Sequence, residues 1–314
     1  MEGYDIIGDI HGCAGMLEAL LKQLGYRRDG DVFAHPRRQA VFVGDLIDRG
    51  DRNFDTLRIV KGMVENGAAS AVLGNHEYNA LCYHTPNGSG GFLRPHSAKN
   101  QNQHQAVLDE IQVESEAEWR TFLDWFKTLP LYLDLDGIRV VHACWAPEEI
   151  AFVKQTLEGG SRMTGRFLEF SVREHTAEFN AVEILLKGKE LRLPEGLSYR
   201  DRDGHTRKRV RIKWWMAPEE MSRARTFADI AQAPRDVLAE LAAFPLGNNG
   251  GMSLGGYSPC SEPVFFGHYW LGGTPHLSAA PAVCLDYSAV RGGYLCGYRF
   301  SGESRLSDRN FVYV

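Results

Sequence analysis

The strongest constraint on the fold is a pattern that occurs three times in the first 80 residues. A short apolar run ends in a glycine and a polar residue, and a stretch with helical periodicity follows. The runs are YDIIGD, AVFVGD and SAVLGN, which end at Asp9, Asp45 and Asn75. Units of this kind predict a sheet with helices packed on it. In such folds, functional sites form where the strands end.

The C-terminal part of the chain predicts further strands, in the segments PVFFGHYW, AVCLDYSAV, GGYLCGYRF and FVYV. Strands at both ends of the chain predict two mixed sheets packed face to face, with helices outside. The segment that begins at Ser115 predicts an amphipathic helix with Glu118 completing its cap. Residues 84–105 are too rich in Gly, Asn and Gln to belong to a core. We predict one α+β domain over residues 1–314, in which the charged, helical residues 146–261 form a cap-like insertion.

Composition excludes several classes of protein. The net charge of −5 gives no basis for nucleic-acid or membrane binding. None of the six cysteines forms a C-x-x-C pair, so neither a thiolate zinc site nor a redox motif is expected. We expect no secretory leader, and no run of about 18 apolar residues occurs. We expect a cytoplasmic protein with reduced thiols.

Polar residues with nitrogen and oxygen ligand atoms follow the predicted strands. They are Asp9, His11, Asp45, Asp48, Asn75, His76, His142 and His268. This donor set contains no thiolate, and it suits manganese, iron or zinc. It is too large for one tetrahedral zinc but divides between two divalent ions that share a carboxylate. Each motif alone is compatible with a structural turn or a hydrogen-bonded core histidine, whereas the combination predicts a dinuclear site.

The motifs GDIHG, GDLIDRG and GNHE, with the later histidines of HA and GH, resemble the calcineurin-like metallophosphoesterases. Within them the chain is similar to the PPP branch, which holds serine/threonine protein phosphatases and bacterial dinucleoside tetraphosphatases. The resemblance covers residues 1–80, 130–145 and 262–300. It implies a four-layer α-β-β-α sandwich and a metal-dependent phosphoric ester hydrolase. The implied mechanism is in-line attack on phosphorus by a hydroxide that bridges two divalent ions, expected to be manganese.

The resemblance also implies a role for each residue. The implied ligands of the first ion are Asp9, His11 and the bridging Asp45. Those that complete the second ion are Asn75, His142 and His268. His76 is the implied general acid, oriented by Asp48, and Arg49 the implied binder of phosphate oxygens. A buried carboxylate favours the protonated form of a neighbouring imidazole, and an arginine fork matches phosphate geometry.

Two positions depart from the family pattern. Cys144 stands where the family usually has a glycine after His142-Ala143. We expect a packed thiol there, and the alternative is an additional soft group near the metals. A second phosphate-binding arginine is expected between the two late histidines. The sequence leaves four candidates for it: Arg162, Arg166, Arg173 and Arg200.

A basic patch lies in the predicted cap. Seven basic residues stand against two acidic ones between residues 200 and 213, beside the hairpin signal Asp203-Gly204. Arg207, Arg209, Arg211 and Lys213 alternate with mostly apolar positions. The patch is either a lid that attracts an anionic substrate or a solvated strand face. Trp214 and Trp215 either stack on a base or pack in a core.

The motifs define the reaction at phosphorus but not the leaving group. We expect a phosphorylated small molecule as substrate, either a phosphomonoester or a nucleotide polyphosphate. The alternative is a phosphoprotein, as for a serine/threonine or tyrosine phosphatase. Two other classes are a catalytically silent binding module and a zinc-stabilised structural or nucleic-acid protein. The complete ligand set argues against the first, and the lack of paired cysteines against the second.

Overall fold

The computed structural model describes residues 2–30, 32–157, 163–200, 204, 206–247 and 255–314. Within them the strands are β1 (Tyr4–Ile7), β2 (Arg27–Asp29), β3 (Val32–Ala34), β4 (Gln39–Phe42), β5 (Ala69–Ala71), β6 (Tyr132–Leu135), β7 (Ile138–Val141), β8 (Glu190–Arg192), β9 (Tyr199–Arg200), β10 (Thr206–Arg207), β11 (Arg209–Ile212), β12 (Ala231–Gln232), β13 (Val264–Phe266), β14 (Ala282–Cys284), β15 (Asp286–Tyr287), β16 (Tyr294–Phe300) and β17 (Phe311–Tyr313). The helices are α1 (Ala14–Gln23), α2 (Asn53–Glu65), α3 (Asn75–His84), α4 (Ala98–Val113), α5 (Glu116–Phe126), α6 (Pro147–Thr156), α7 (Gly165–Ser171), α8 (Ala177–Lys187), α9 (Pro218–Arg223), α10 (Phe227–Ile230) and α11 (Arg235–Leu241).

Two mixed sheets form the centre of the molecule. The first has the order β15-β16-β1-β4-β5, with β17 paired to β16. Its strands β1, β4 and β5 run parallel, so their carboxyl ends lie at one edge. The second sheet has the order β14-β13-β7-β6, and β13 is parallel to both β7 and β14. Each sheet therefore presents the ends of parallel strands from which loops lead to helices or to further strands.

The sheets pack face to face through alternating residues. One buried cluster contains side chains from the inner faces of both sheets, among them Ile6, Val41, Val140, Phe265 and Val283. The intervening residues point outward into a second cluster that includes side chains of α1, α2, α5 and α8. This alternation is the period-2 pattern of strands covered on both faces. The predicted α+β architecture of two packed sheets flanked by helices is confirmed.

The helix predicted after residue 115 begins where its cap motif indicates. The Ser115 hydroxyl accepts a hydrogen bond from the Glu118 N–H, and α5 buries Trp119, Phe122 and Phe126. None of the described helices combines the length and the apolar character that crossing a lipid bilayer requires.

The prediction that residues 84–105 lie outside the core is wrong in part. Helix α4 begins within this segment, and the His104 side chain is buried. The docking of α4 explains the error. Glu110 accepts hydrogen bonds from the backbone N–H groups of Asn53 and Phe54, at 2.7 and 2.9 Å, and so caps the amino end of α2 from another helix.

The segment 146–261 contains two structurally different parts. Helices α6, α7 and α8 bury their apolar side chains in the main cluster that also covers the sheets. Strands β8, β11 and β12 form a small separate sheet, and with α9, α10 and α11 they enclose an apolar cluster of their own. Val210 and Ile212 of β11 are fully buried there, while Arg209 is exposed and Arg211 half-buried.

Candidate metal centre and catalytic site

The ends of the parallel strands gather the predicted site residues. Asp9 and His11 follow β1, Asp45 follows β4, and Asn75 begins α3 after β5. His142 follows β7 directly, and His268 lies two residues after β13. Because β1, β4 and β5 are parallel neighbours, and β7 and β13 likewise, each sheet delivers its residues at one edge. Both edges meet at a single site.

Asp45 lies at the centre of this site. Its Oδ1 is 3.3 Å from His142 Nε2, and its Oδ2 is 3.6 Å from His11 Nε2. Two groups of side chains could each hold a metal ion: His11, Asp45 and His76, and Asp45, His142 and His268. Asp45 belongs to both groups, which is the arrangement that a bridging carboxylate needs.

Three buried ligand atoms at this site have no hydrogen-bond partner among the described residues. They are Asp9 Oδ1, His11 Nε2 and His268 Nε2. A buried polar atom without a partner costs free energy unless something else satisfies it. Bound cations would satisfy all three at once. A Cβ on Gly267 would overlap Asp9 Oδ1, so glycine is what keeps that oxygen accessible.

In two of the site histidines, His11 and His142, the Nδ1 atom is hydrogen-bonded to a backbone carbonyl. His11 Nδ1 lies 2.9 Å from the carbonyl oxygen of Ile47, and His142 Nδ1 lies 2.8 Å from that of Val43. A ring nitrogen that donates to a carbonyl leaves the other nitrogen as a lone-pair ligand. Asn75 Oδ1 lies 3.1 Å from His142 Nε2, so the amide oxygen is at the same place as that ring nitrogen.

The electrostatics of the site also fit cations. Burial, Asp286 and Asp45 raise the pKa of Asp9 well above its usual range, because several carboxyl groups lie close together away from solvent and their negative charges repel. Burial and the neighbouring His76 lower the pKa of His11 to about 3, and burial and Arg211 lower that of His268 well below its usual range. These two imidazoles are therefore neutral, the form that coordinates metal.

His76 is held by Asp48 on the side away from Asp45. Its Nδ1 is 2.6 Å from Asp48 Oδ2, while its Nε2 lies 4.0 Å from Asp45 Oδ2. Burial lowers the pKa of His76, but Asp45 and the hydrogen bond with Asp48 outweigh burial and raise the pKa above its ordinary value. His76 can therefore carry a proton at Nε2 toward the centre of the site.

A second histidine shares Asp48, and no sequence pattern indicated it. His104 Nδ1 lies 2.7 Å from Asp48 Oδ1, and its Nε2 lies 3.2 Å from Nε2 of His84. Burial raises the pKa of Asp48, but His104 and His76 outweigh burial and hold it below the usual range. Asp48 is thus an ionised carboxylate between two imidazoles. Nothing in the local pattern around residue 104 indicates this contact.

Glu77, to which the sequence analysis assigned no role, binds the loop that carries Asp45. Its carboxyl group accepts hydrogen bonds from four backbone N–H groups, at distances of 2.8 to 3.2 Å: those of Asp45, Leu46, Ile47 and Gly74. Burial and Asp45 raise the pKa of Glu77 to about 7. Glu77 therefore ties the end of β4 to the start of α3.

Backbone strain is concentrated at the same place. Eight described non-glycine residues have positive φ, and six of them lie in these loops: His11, Asp45, Asp48, Arg49, His268 and Trp270. Such conformations cost free energy for residues with a Cβ and persist where the surroundings impose them. The loops are thus held in the shape that aims these side chains at one point.

Arg49 packs on an aromatic ring at the rim of the site. Its guanidinium lies 4.4 Å from the centre of the Trp270 ring, and that of Arg291 lies 5.1 Å from the same ring. Trp270 is two residues beyond His268, and its backbone N–H donates to Asp286 Oδ2 at 2.7 Å. This cation–π stacking restricts the orientation of Arg49. The sequence analysis did not identify Trp270.

A cavity of about 410 Å³ opens above the site. Its lining includes Asp45, Asn75, His76 and His268 of the site, Arg211 and Gln232 of the small sheet, and Arg207 of β10, which pairs with β9. Seven arginines and lysines line it, against four aspartates and glutamates. Since Glu183 and Glu190 are paired with Lys187 and Arg209, the remaining positive charges outnumber the negative ones, and the cavity favours anions.

Three of the four arginine candidates from the sequence, Arg166, Arg173 and Arg200, do not line the cavity. Arg166 and Arg173 pack over Phe170, and Arg200 is not among the cavity residues. Arg162 lies outside the described residues, as does Asp203 of the hairpin signal. The described arginines that do line the cavity are Arg49, Arg94, Arg207, Arg211 and Arg291. Spacing between the histidines alone did not distinguish these from the others.

Three other residues singled out from the sequence are buried in the main cluster. Burial raises the pKa of the Cys144 thiol to about 12, which favours the packing interpretation. Trp214 donates from Nε1 to the Ala143 carbonyl at 2.8 Å, and Trp215 contacts Tyr269. Neither tryptophan lines the cavity, so both are core residues.

Comparison with known proteins agrees with this geometry. The sequence profile of the family described as calcineurin-like phosphoesterase matches residues 4–209. The chain belongs to the calcineurin-like phosphoesterases. The matched range includes the site residues from Asp9 to His142. His268 and Trp270 lie beyond it, after β13 of the second sheet.

Curated relatives include two kinds of nucleotide hydrolase. A bis(5'-nucleosyl)-tetraphosphatase PrpE [asymmetrical] of Bacillus subtilis is 35% identical over 41% of this chain and 51% of its own length. A bis(5'-nucleosyl)-tetraphosphatase, symmetrical, of Vibrio cholerae is 33% identical over 49% of each chain. The chain spans about half the length of the curated relatives it matches.

A solved structure shares the fold over nearly the whole chain. A protein serine/threonine phosphatase from Saccharomyces cerevisiae superimposes with a TM-score of 0.51, covering 99% of this chain and 78% of that one. The identity is 14%, so this likeness concerns the fold alone.

Proposed function

We propose that this protein is a phosphoesterase that uses two divalent metal ions to hydrolyse a phosphate ester or phosphoanhydride. The observation that carries the proposal is the set of three buried ligand atoms without hydrogen-bond partners among the described residues, Asp9 Oδ1, His11 Nε2 and His268 Nε2, around a shared Asp45. Beside them stands an imidazole held by a carboxylate, the usual arrangement of a general acid.

The ligands divide between two ions. Those proposed for the first are Asp9, His11 and Asp45. Those proposed for the second are Asp45, Asn75, His142 and His268. We expect manganese, with iron or zinc as alternatives, because the donors are carboxylates, imidazoles and an amide. When bound, such ions would activate water as a nucleophile and polarise the phosphoryl oxygens.

His76 is assigned to the leaving group and not to a metal. His76 belongs to one of the two candidate metal groups, but its Nδ1 is bound to Asp48. Its Nε2 lies farther from the Asp45 carboxylate than the Nε2 atoms of His11 and His142 do. The proton at Nε2 would pass to the oxygen that leaves phosphorus. Asp48 holds the ring orientation and stabilises the protonated form. Arg49, fixed against Trp270, would bind oxygens of the phosphoryl group under attack.

The segment after β7 is proposed to act as a cap on the cavity. Arg207 of β10 and Arg211 of β11 line this cavity together with the site residues, while the apolar face of β11 is buried in the cap's own cluster. This placement supports the interpretation of the basic hairpin as an anion-attracting lid. A capped cavity of about 410 Å³ fits a phosphomonoester or a nucleotide polyphosphate better than a folded phosphoprotein.

The relatives support a nucleotide polyphosphate as the substrate, since both matched groups are bis(5'-nucleosyl)-tetraphosphatases. All six cysteines are free, which supports the proposal of a cytoplasmic location.

The test is hydrolysis of p-nitrophenyl phosphate by the purified chain with added manganese, with and without chelator. We expect activity that the chelator abolishes and manganese restores. Absence of metal-dependent hydrolysis would overturn the proposal in favour of a silent binding module. A second panel would compare diadenosine tetraphosphate with phosphopeptides. Faster turnover of phosphopeptides would reverse the substrate assignment in favour of a protein phosphatase.

A further inference from the structure

Arg94 lies in the loop between α3 and α4, and no catalytic or metal role has been assigned to it above. Its backbone N–H donates to the Cys82 carbonyl at 2.9 Å, which positions the residue at the end of α3. Its guanidinium donates from one nitrogen to Asn79 Oδ1 at 2.6 Å and from another to Gln103 Oε1 at 2.7 Å. Both acceptors are neutral side-chain amides. The guanidinium is therefore held in place from two helices.

No described carboxylate forms a direct ion pair with Arg94. The side chain is half-buried, and its two hydrogen-bond acceptors are amides. Burial lowers the pKa of Arg94 and outweighs the more distant charges of Asp48 and Glu183, which raise it. Amide oxygens orient a guanidinium but leave its positive charge in the cavity wall. An orientation maintained at this cost fits a site that receives an anion from outside.

The position of Arg94 identifies which part of a substrate it would meet. Its anchor Asn79 is one helical turn after His76 on α3, and its anchor Gln103 directly precedes His104, which binds Asp48. All of these residues line the same cavity. Arg94 therefore stands beside the general acid and its partners, where the departing group lies. Arg49, by contrast, lies over Trp270 at the rim.

Other groups on this wall have the same character. Lys99 and Asn100, in the first turn of α4, also line the cavity. Lys99 is exposed, so it adds a mobile positive charge beside the fixed one. The amino end of a helix favours anions through its free N–H groups. Fixed and mobile cations together make a subsite for a small, multiply charged oxyanion.

We propose that Arg94, assisted by Lys99 and Asn100, binds a phosphate group that belongs to the leaving group, distinct from the phosphoryl group under attack. The inference rests on the proposed hydrolase function and narrows its substrate to phosphoanhydrides. In the reaction, the oxygen of water joins one phosphorus, and the P–O bond to the bridging oxygen breaks. The bridging oxygen leaves with the bonding electron pair and takes a proton from His76. The departing phosphate retains its negative charge beside Arg94.

The experiment compares substrates that differ by one phosphate on the leaving group. In AMP the leaving group is adenosine, and in ADP cleaved at its terminal phosphate it is AMP. We would measure kcat/KM for both, and for p-nitrophenyl phosphate, with the wild-type protein, Arg94→Met and Arg94→Lys. Arg120→Met is the matched control, because Arg120 is an exposed arginine on α5 that pairs with Glu116.

We expect the wild-type protein to prefer ADP over AMP. Arg94→Met should reduce kcat/KM for ADP about 10- to 100-fold more than for p-nitrophenyl phosphate, the range of a lost charge-assisted contact. Arg94→Lys should recover part of the preference, and Arg120→Met should leave both rates unchanged. Equal losses on ADP and p-nitrophenyl phosphate, or a wild-type protein that does not prefer ADP, would overturn the inference.

Asn79→Asp separates binding from a structural role and keeps the test valid if Arg94→Met folds poorly. The substitution is nearly isosteric and gives Arg94 a carboxylate partner, so a merely structural contact would be kept or strengthened. The inference instead expects the ADP preference to fall at an unchanged or higher Tm. A retained preference in Asn79→Asp would contradict the inference. If the wild-type protein does not hydrolyse p-nitrophenyl phosphate at all, the hydrolase function itself is refuted, which is a different result.

Discussion

Asp48 Oδ1 lies 2.7 Å from Nδ1 of His104, while the other oxygen of the same carboxylate binds His76. His76 and a buried histidine of α4 therefore share one carboxylate. His84 ends this series of contacts, with its Nε2 3.2 Å from Nε2 of His104. Burial lowers the pKa of His84 to about 4, so the His84 ring is neutral. This hydrogen-bonded series fixes the Asp48 carboxylate from both sides.

Replacement of His104 should change catalysis through Asp48. His104→Phe removes one of the two donors, so Asp48 would rotate more freely and bind His76 alone. We expect kcat to fall about 10-fold with KM changed less, since the proton donor loses its fixed orientation. Metal content, measured by atomic emission, should stay at the wild-type level. His104→Asn, which retains a donor, should recover part of the rate. A loss of bound metal in His104→Phe would contradict this positioning role.

Substitution of two neighbouring site residues should separate proton donation from metal binding. His76→Asn should reduce kcat by about 100-fold or more while leaving bound metal nearly intact. Asp45→Asn should lose both activity and metal, because Asp45 is the only carboxylate shared by the two candidate groups. Metal stoichiometry and kcat would be measured on the same preparations. Equal metal loss in the two variants would contradict the assignment of His76 as acid.

The pH profile should report the environment of His76. The pKa of this imidazole is raised by Asp45 and Asp48, and kcat should fall as pH rises through that pKa, because the acid loses its proton. Asp48→Asn removes one of the raising charges, so the alkaline limb should move to lower pH. His104→Phe leaves Asp48 bound to His76 alone and should move the limb to higher pH. Shifts in the same direction would refute this account.

Glu77 should matter more for the loop than its position in the sequence indicates. Glu77→Gln replaces a carboxyl group that accepts four backbone hydrogen bonds with an amide that has one oxygen and a competing N–H₂ donor. We expect a loss of about 3 kcal/mol of unfolding free energy, together with weaker metal binding at Asp45. Urea denaturation and metal titration would measure the two effects. A wild-type denaturation midpoint with normal metal affinity would show that Glu77 is dispensable.

Arg211 should act on substrate binding through the cap. It lines the cavity from β11 and lowers the pKa of His268, which indicates that its charge reaches the site. Arg211→Met should raise KM for a nucleotide polyphosphate about 10-fold, with a smaller effect on kcat, and should weaken the salt dependence of kcat/KM. Arg223→Met is the matched control, because Arg223 is exposed on α9 of the same segment and does not line the cavity. Equal effects of the two substitutions would indicate that the overall positive charge of this segment, and not the position of Arg211, promotes substrate binding.

The meeting of the proposed ligand residues and His76 at one site was predictable because it depends on local order. Each apolar run makes a strand, each Gly-Asp or Gly-Asn ends it, and parallel strands must end at a common edge. The positions of Asp9, Asp45 and Asn75 along the chain therefore already placed them together. The structure locates the later histidines at the same point because β7 and β13 are parallel neighbours in the second sheet.

His104 and Arg94 could not be predicted in this way. Both come from the polar segment 84–105, which has no apolar periodicity and was expected to be surface. Their positions depend on the packing of α4 against α2, where Glu110 caps another helix, and on contacts between residues many positions apart. Local sequence determines where strands and turns form, because their periodicity and capping are short-range. Only the tertiary structure decided which polar side chains surround Asp48 and the cavity, because those contacts are made by packing between distant segments.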